Sequence, residues 1–504
     1  MRATRNGQSD ARALVTRCAI TALALGSPAL AFGQTAPQEG SAAVPPVQAV
    51  PGVGGVGAAL PGGVLPGVAP TGIGPAPAEL TRYGIAAGLG ETDNVNLTST
   101  DPKAQTIAAA DLDLDLRRSG SRLDASALGN FTDLYYLQGA YSNQILGRFD
   151  GLATAKLWSD RLKWVVADDY GEQQVDPFAV IVPGDLQRVN VFTTGPELTL
   201  RPSYATFVTV DAHYSQFSYQ TSPFDGRDLS ASAELGRQLS PLSSLSLVAQ
   251  AEKLRFNNTL VNTDYSRRQA YGQYRVRGAR TSIDLQLGAT QANDLDRWKT
   301  SPFAHLELTR RISPFSVVTL AGGREYTDAA GGFASLRAGA AGGIAVAPAN
   351  QSTGNYLRTY GSAGWQFARL RTAFGLTGNW EHDAYDRQSL FDTNREDLAL
   401  NVGRSLTPRL SVSLTGMVDR YDYVNQGYVD KFGTGYATLT YRPGRWLIIY
   451  AQYEHSFRRA AGARALLLGA SGYDENRAFI MIGYRPHSDT EAGGAGGFGG
   501  MAGP

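Results

Sequence analysis

Between about Tyr83 and Arg485, apolar and polar residues alternate in segment after segment, each joined to the next by a turn or a polar loop. The stretch Asp111-Leu112-Asp113-Leu114-Asp115-Leu116-Arg117 shows the pattern at its plainest. Successive side chains of a β-strand point to opposite faces, so the leucines lie on one face and the charges on the other. Such segments in long succession predict an all-β protein. The expected fold is a transmembrane antiparallel up-and-down β-barrel of about 20 strands, within a range of about 18–22.

The totals agree with that class. A chain of 504 residues is long enough for a large barrel, and its net charge of +1 offers no basic excess for nucleic acid. Hydrophobic residues make up 43%, yet no apolar run is long enough for a membrane helix. A barrel escapes a hydropathy window because its inward residues are polar.

Residues 1–33 read as a secretory signal. Arg2, Arg5, Arg12 and Arg17 precede an apolar segment from Cys18 to Gly26, and Ala29-Leu30-Ala31 or Ala31-Phe32-Gly33 offers small residues for cleavage. Cys18 is the single cysteine, so the part beyond the signal holds no disulfide, thiolate ligand or Cys nucleophile. Residues 34–79 form a Pro/Gly/Ala/Val-rich linker, a passive spacer or a periplasmic tether. Residues 80–486 hold the strands, and a Gly-rich tail covers 487–504.

The connections alternate in length. Tight turns are expected at Arg118–Arg122, Ser159–Arg161, Arg201–Ser203, Ser240–Ser243, Arg277–Arg280, Ile312–Phe315, Ala368–Arg371, Leu406–Arg409 and Arg442–Arg445. Longer connections are expected at 173–188, 257–264, 293–300, 327–355, 384–395 and 458–473. Short periplasmic turns and long outer loops are the habit of outer-membrane barrels. The Gly/Ala-rich stretch 331–347 is either a loop or a further strand pair. A β-propeller repeats at a similar period, but its strands are shorter than the runs Tyr204–Tyr219 and Arg409–Tyr423.

The two strand faces differ in chemistry. Ile283, Leu285, Leu287 and Ala289 oppose Asp284 and Gln286, and Phe374 and Leu376 oppose Thr377, Asn379 and Glu381. A charge at mid-bilayer costs about 2–4 kcal/mol, so the apolar sets meet lipid and the polar sets line the lumen. The expected lumen residues are Asp111, Asp113, Asp115, Arg148, Lys156, Trp158, Asp211, Glu252, Arg267, Tyr271, Arg275, Arg277, Asp284, Glu307, Arg371 and Glu381. They either brace the wall as ion pairs or form a charged path for a hydrophilic polymer, with Trp158 and Tyr271 as sugar-stacking faces. Trp164, Trp380, Tyr484, Tyr421 and Tyr423 are expected in interfacial belts. Two outer loops are candidate gates or rim packing: the apolar segment Asp176–Gly184, and 459–470, which is able to form a short helix.

Catalytic chemistry is not evident. Asp211, His213 and Ser215 share a strand face, but residues two apart on a strand lie roughly 7 Å from each other, beyond triad reach. No phosphate loop, paired-His zinc motif or EF-hand is present. Asp93, Asn94 and Asn96 offer only three oxygen ligands to calcium. The expectation is a non-enzyme with no metal and no cofactor.

The segment Gly88-Leu-Gly-Glu-Thr-Asp-Asn-Val-Asn-Leu97, then Arg122-Leu-Asp-Ala-Ser126, then Arg161-Leu-Lys-Trp-Val165 leading to Asp176-Pro-Phe178, resembles the β-barrel porin family associated with exopolysaccharide and exosortase systems. The likeness spans most of 81–485, and it brings no residue-level site with it. It implies a Gram-negative outer-membrane protein that exports or helps assemble a surface polysaccharide. The expected partners are outer-membrane lipid, the polymer, a periplasmic polysaccharide-export protein and the barrel-assembly machinery, with no nucleic acid. A general diffusion porin for small hydrophilic solutes and a structural outer-membrane anchor remain the alternatives. Tyr484 would serve as the terminal aromatic recognition residue, with the tail trailing it.

Overall fold

In a computed structural model the described residues are 79–486, except 159–160, 177–178, 180, 260–261, 295–296, 329–354, 387–388, 463–464 and 466–471. The expected signal, most of the linker, the Gly/Ala-rich stretch 331–347 and the tail lie outside them. The strands are β1 (Glu79–Thr92), β2 (Gln105–Ser119), β3 (Leu123–Tyr136), β4 (Gln144–Trp158), β5 (Leu162–Gln174), β6 (Leu186–Leu200) and β7 (Thr206–Tyr219). They continue as β8 (Gly226–Ser240), β9 (Ser243–Phe256), β10 (Tyr265–Arg277), β11 (Thr281–Asp294), β12 (Arg297–Ser313), β13 (Ser316–Thr327) and β14 (Tyr356–Arg369). The last are β15 (Thr372–Tyr385), β16 (Thr393–Ser405), β17 (Leu410–Tyr423), β18 (Tyr428–Tyr441), β19 (Leu447–Gly462) and β20 (Tyr473–Tyr484).

Each strand pairs antiparallel with its sequence neighbours, and β1 closes on β20 to complete a 20-stranded barrel. Closure removes every free sheet edge, the condition for crossing a bilayer with strands. The closing seam is short: β1 pairs with β20 only from Ile85↔Tyr484 to Thr92↔Arg477, whereas it pairs with β2 along its whole length.

All nine expected tight turns fall at one end of the barrel, between β2 and β3, β4 and β5, and so on to β18 and β19. The other end carries the long connections, although β17 and β18 are joined there by residues 424–427 alone. One expected long connection, 293–300, is instead strand: β11 runs to Asp294 and β12 starts at Arg297. The alternation of Gln291, Asn293, Trp298 and Thr300 on one face continues the pattern of both strands to the rim. Likewise β19 extends to Gly462, so the start of the stretch 459–470 is strand rather than helix.

The concave face is identified by contacts that skip strands. Asp111 on β2 accepts a hydrogen bond from the Tyr450 hydroxyl on β19 at 3.1 Å, over β1 and β20. Residues three strands apart meet only inside a curved sheet. The convex face is apolar and open: Leu247 is 67% exposed, Ile480 63% and Leu287 55%. No described helix is long and apolar enough to cross a membrane.

Candidate permeation path

The strand register places all but two of the expected lumen residues on the concave face. Asp111, Asp113 and Asp115 pair with Thr132, Asn130 and Leu128, while Arg275 and Asp284 pair with each other and Asp284 with Glu307. Glu252 faces Arg267, and Tyr271 faces Gly288. Arg148, Lys156, Asp211 and Glu381 occupy the same face, and Arg277 ends β10 there, exposed.

The two exceptions have local causes. A bulge between Lys156 and Trp158 breaks the alternation, so Trp158 pairs with Leu162 on the convex face and stacks with Arg161 at 5.2 Å. Arg371 lies in the β14–β15 turn, beyond the end of β14 at Arg369, and not in the wall. The belt expectation divides as well. Trp164, Trp380 and Tyr484 face outward and are 42–43% exposed. Tyr421 and Tyr423 alternate instead with outward Arg420 and Asp422, so they point into the barrel, and Tyr423 is buried.

Near the long-loop end the interior is packed with arginines held by carboxylates. Arg458 and Asp430, both fully buried, meet at 2.5 Å, and the Tyr428 hydroxyl donates to Asp430 at 2.7 Å. Arg395 lies 3.2 Å from Asp419 and 3.6 Å from Asp397, over the Tyr421 ring. Arg358 lies 2.9 Å from Glu381 and over the Tyr356 ring. Arg267 meets Glu252 at 2.6 Å and Asp328 at 3.1 Å, and Arg477 meets Glu475 at 2.5 Å. Alternating strand positions supply these groups, and their burial demands pairing, because a buried lone charge is costly.

The apolar loop between β5 and β6 reaches into this layer. Its short 3-10 turn, Pro183–Asp185, is steadied by Asp185, whose carboxylate accepts from the Asp176 backbone N–H at 2.9 Å. Burial raises the Asp185 carboxyl above the usual aspartate range. Ile181 is buried in a cluster with Ile107, Leu134, Tyr136 and Phe479. Arg458 donates to the Ala179 carbonyl at 2.5 Å, so a residue of β19 holds a loop that leaves β5. The loop is therefore fastened inside the barrel.

Toward the short-turn end the concave face divides into two arcs. From β2 to β12 it is charged: Lys156 meets Asp124 at 2.8 Å, Lys163 meets Glu197 at 3.7 Å, and Arg275 meets Glu234 at 3.2 Å. From β14 to β19 the corresponding positions are neutral: Ser362 and Gln366, Thr377, Asn401, Ser413 and Thr415, Thr438 and Thr440, then Gln452. Thr415 Oγ1, Thr438 Oγ1 and Gln452 Nε2 are enclosed without a hydrogen-bond partner among the described residues, as are Asn130 Oδ1 and Asp228 Oδ1 elsewhere on the concave face. Glu454, one residue pair higher on β19, takes no hydrogen bond from the described residues on either carboxylate oxygen. The alternation already placed the residues of the neutral arc on one face. Their lateral clustering depends on register, which no local pattern reports.

The other chemistries considered have protein partners. His213 lies 3.5 Å from Asp211, but Ser215 shares its hydrogen bond with Thr193 at 2.9 Å rather than with His213. Asp93 accepts from Asn476 at 2.7 and 2.8 Å, and Asn94 donates to Asp474 O at 2.8 Å, so these residues of the β1–β2 loop tie the barrel seam. Among the described residues no His/Cys/Asp/Glu group is arranged to hold a metal ion.

No protein-family model matches the chain, and no curated protein matches it. Among solved structures, the chain is similar to the FrpB iron transporter from Neisseria meningitidis, with 8% identity over 81% of this chain and 82% of that one, at a TM-score of 0.42. It is also similar to the ferric enterobactin receptor PfeA from Pseudomonas aeruginosa (a mutant), with 10% identity over 80% of each chain and a TM-score of 0.41. The siderophore receptor PirA from Acinetobacter baumannii aligns with 7% identity over 80% of each chain, again at 0.41. The barrel fold of this chain stands on its own strand register.

Proposed function

We propose that the protein is an outer-membrane barrel that passes a hydrophilic, largely uncharged polymer, a surface polysaccharide, through its interior. The observation that carries the reading is the neutral arc on β14–β19, where hydroxyl and amide side chains replace charges on the concave face. A sugar chain presents hydroxyls that satisfy such groups without desolvating a charge. The charged arc opposite is braced by its own ion pairs, and the loop held by Arg458 serves as a gate.

In this reading residues 1–33 direct export and are removed, 34–79 tether the barrel on the periplasmic side, and the short turns face the periplasm. A periplasmic export protein would deliver the polymer there, and the barrel-assembly machinery would insert the barrel into lipid. No catalytic step, metal or cofactor is involved.

Deleting the gene is expected to trap polymer in the periplasm; normal surface polymer in the deletion strain would sink the proposal. In planar bilayers, neutral oligosaccharides should block the current, and T415V/T438V/Q452L should weaken the block about fivefold or more. Steady conductance that no sugar blocks would instead indicate a general diffusion porin.

A further inference from the structure

The convex face is not uniformly neutral at the long-loop rim. On β8, β9 and β10 it carries Arg227, Lys253, Arg255 and Arg268, all exposed. Arg227 lies directly opposite Arg255 in the β8–β9 register, and Lys253 opposite Leu229. Like charges directly opposite on paired strands repel. Among the described residues no acidic side chain occupies the outward strand positions of β8–β12 at this rim, where the remaining positions are Ser266, Gln291, Asn293, Trp298 and Thr300. Asp225 and Asp264, just before β8 and β10, accept from the Tyr219 and Phe256 backbone N–H groups at 2.7 and 2.9 Å. Arg268 instead lies over the Trp298 ring at 4.6 Å.

Elsewhere on the same rim, several outward charges are paired within the protein. Arg420 meets Glu396 at 3.3 Å and Asp422 at 3.5 Å, and Arg459 meets Asp474 at 2.7 Å. Outward Arg324 on β13 stands singly, whereas β8–β10 group four cations on adjacent strands.

Below the four basic residues, the same strands present small side chains to the outside. Ala231 opposes Ala251, Ala233 opposes Ala249, and Ala249 opposes Ala270. Leu229 above and Leu247 below stand 60% and 67% exposed. The result is a strip of small apolar side chains bounded by leucines and capped by cations.

We propose that this sector binds a phosphorylated, multiply acylated glycolipid of the outer leaflet. Its phosphates bridge Arg227, Arg255, Lys253 and Arg268, and its acyl chains lie over the alanine strip. Guanidinium forks match phosphate oxygens, and Trp298 suits the interfacial depth. The alanine surface selects a lipid over a free phosphate ion, which has nothing to place there. The proposal rests on the membrane-barrel reading.

The test uses the full barrel in nanodiscs of zwitterionic lipid, with thermal unfolding as the readout. Doping with lipid A should raise the midpoint by several degrees, an effect that weakens with salt. R227Q/K253Q/R255Q/R268Q should lose that rise, while R420Q/R459Q should keep it. Dephosphorylated lipid A and inorganic phosphate should give none. Retention of the rise in the quadruple variant, or an equal rise with inorganic phosphate, would overturn the proposal. A wild-type barrel that fails to enter nanodiscs would overturn the membrane reading itself, and this one with it.

Discussion

The Tyr360 hydroxyl lies 2.8 Å from Nδ1 of His305, although β13 runs between their strands. The ring crosses β13 at Gly323, where an added Cβ would sit 2.7 Å from the Tyr360 hydroxyl oxygen. Three adjacent strands are thus joined on the concave face through a position that needs the smallest side chain. Tyr271 behaves alike, lying over Gly288 of β11 to meet Phe303 of β12 at 4.8 Å.

Gly323→Val is expected to displace Tyr360 and destabilise the barrel by about 1–3 kcal/mol. Tyr360→Phe keeps the ring and loses only the hydrogen bond, costing about 1 kcal/mol. Urea unfolding in detergent, followed by the heat-dependent gel shift of the barrel, separates the two; equal stability of wild type and Gly323→Val would refute the crossing as a constraint.

Removing one partner of the Arg458–Asp430 pair leaves a buried charge. Arg458→Met should destabilise by about 3–5 kcal/mol, and adding Asp430→Leu should restore much of it. The single variant also releases the loop at Ala179, so single-channel recordings should show higher or noisier conductance.

The two faces of β11 should respond oppositely to the same substitution. Leu287→Arg puts a charge on the open convex face and should cost about 2–4 kcal/mol in a bilayer. Gln286→Arg, its neighbour on the concave face, should cost much less. Comparable losses at both sites would contradict the assignment of faces.

Asp185 gives the loop a pH dependence with a definite sign. Its folded carboxyl is raised above the ordinary value of 3.8 by burial, against bonds from Asp176 and Gln174 and the field of Arg458. The docked loop therefore favours the protonated form. Its stability is full below the ordinary aspartate range and declines as pH rises through the raised value. Conductance should increase from acid toward neutral pH, and Asp185→Asn should flatten that rise. An unchanged profile in Asp185→Asn would assign the dependence to another group.

Much of this molecule was legible in one dimension. Alternation at Asp111–Arg117 and 283–289 is a backbone property, because adjacent side chains of a strand must diverge. It therefore reports strand number, turn placement and most of the polar face. It fails where the backbone departs from strict alternation: the bulge at Lys156/Trp158 turns Trp158 outward, and Arg371 falls into a turn. It also misjudges Tyr421 and Tyr423, because aromatic character alone suggested a belt while parity with Arg395 and Asp419 places them inside.

What the chain determined by itself is the strand, its two faces and the rhythm of its connections, all set by neighbours in sequence. Which side chains meet was decided only by the tertiary structure. Arg458 with Asp430 and Ala179, Tyr360 with His305 over Gly323, and Arg227 opposite Arg255 are partners set by register, closure and an inward loop. Those follow from the packing of twenty strands at once, and no local period encodes them.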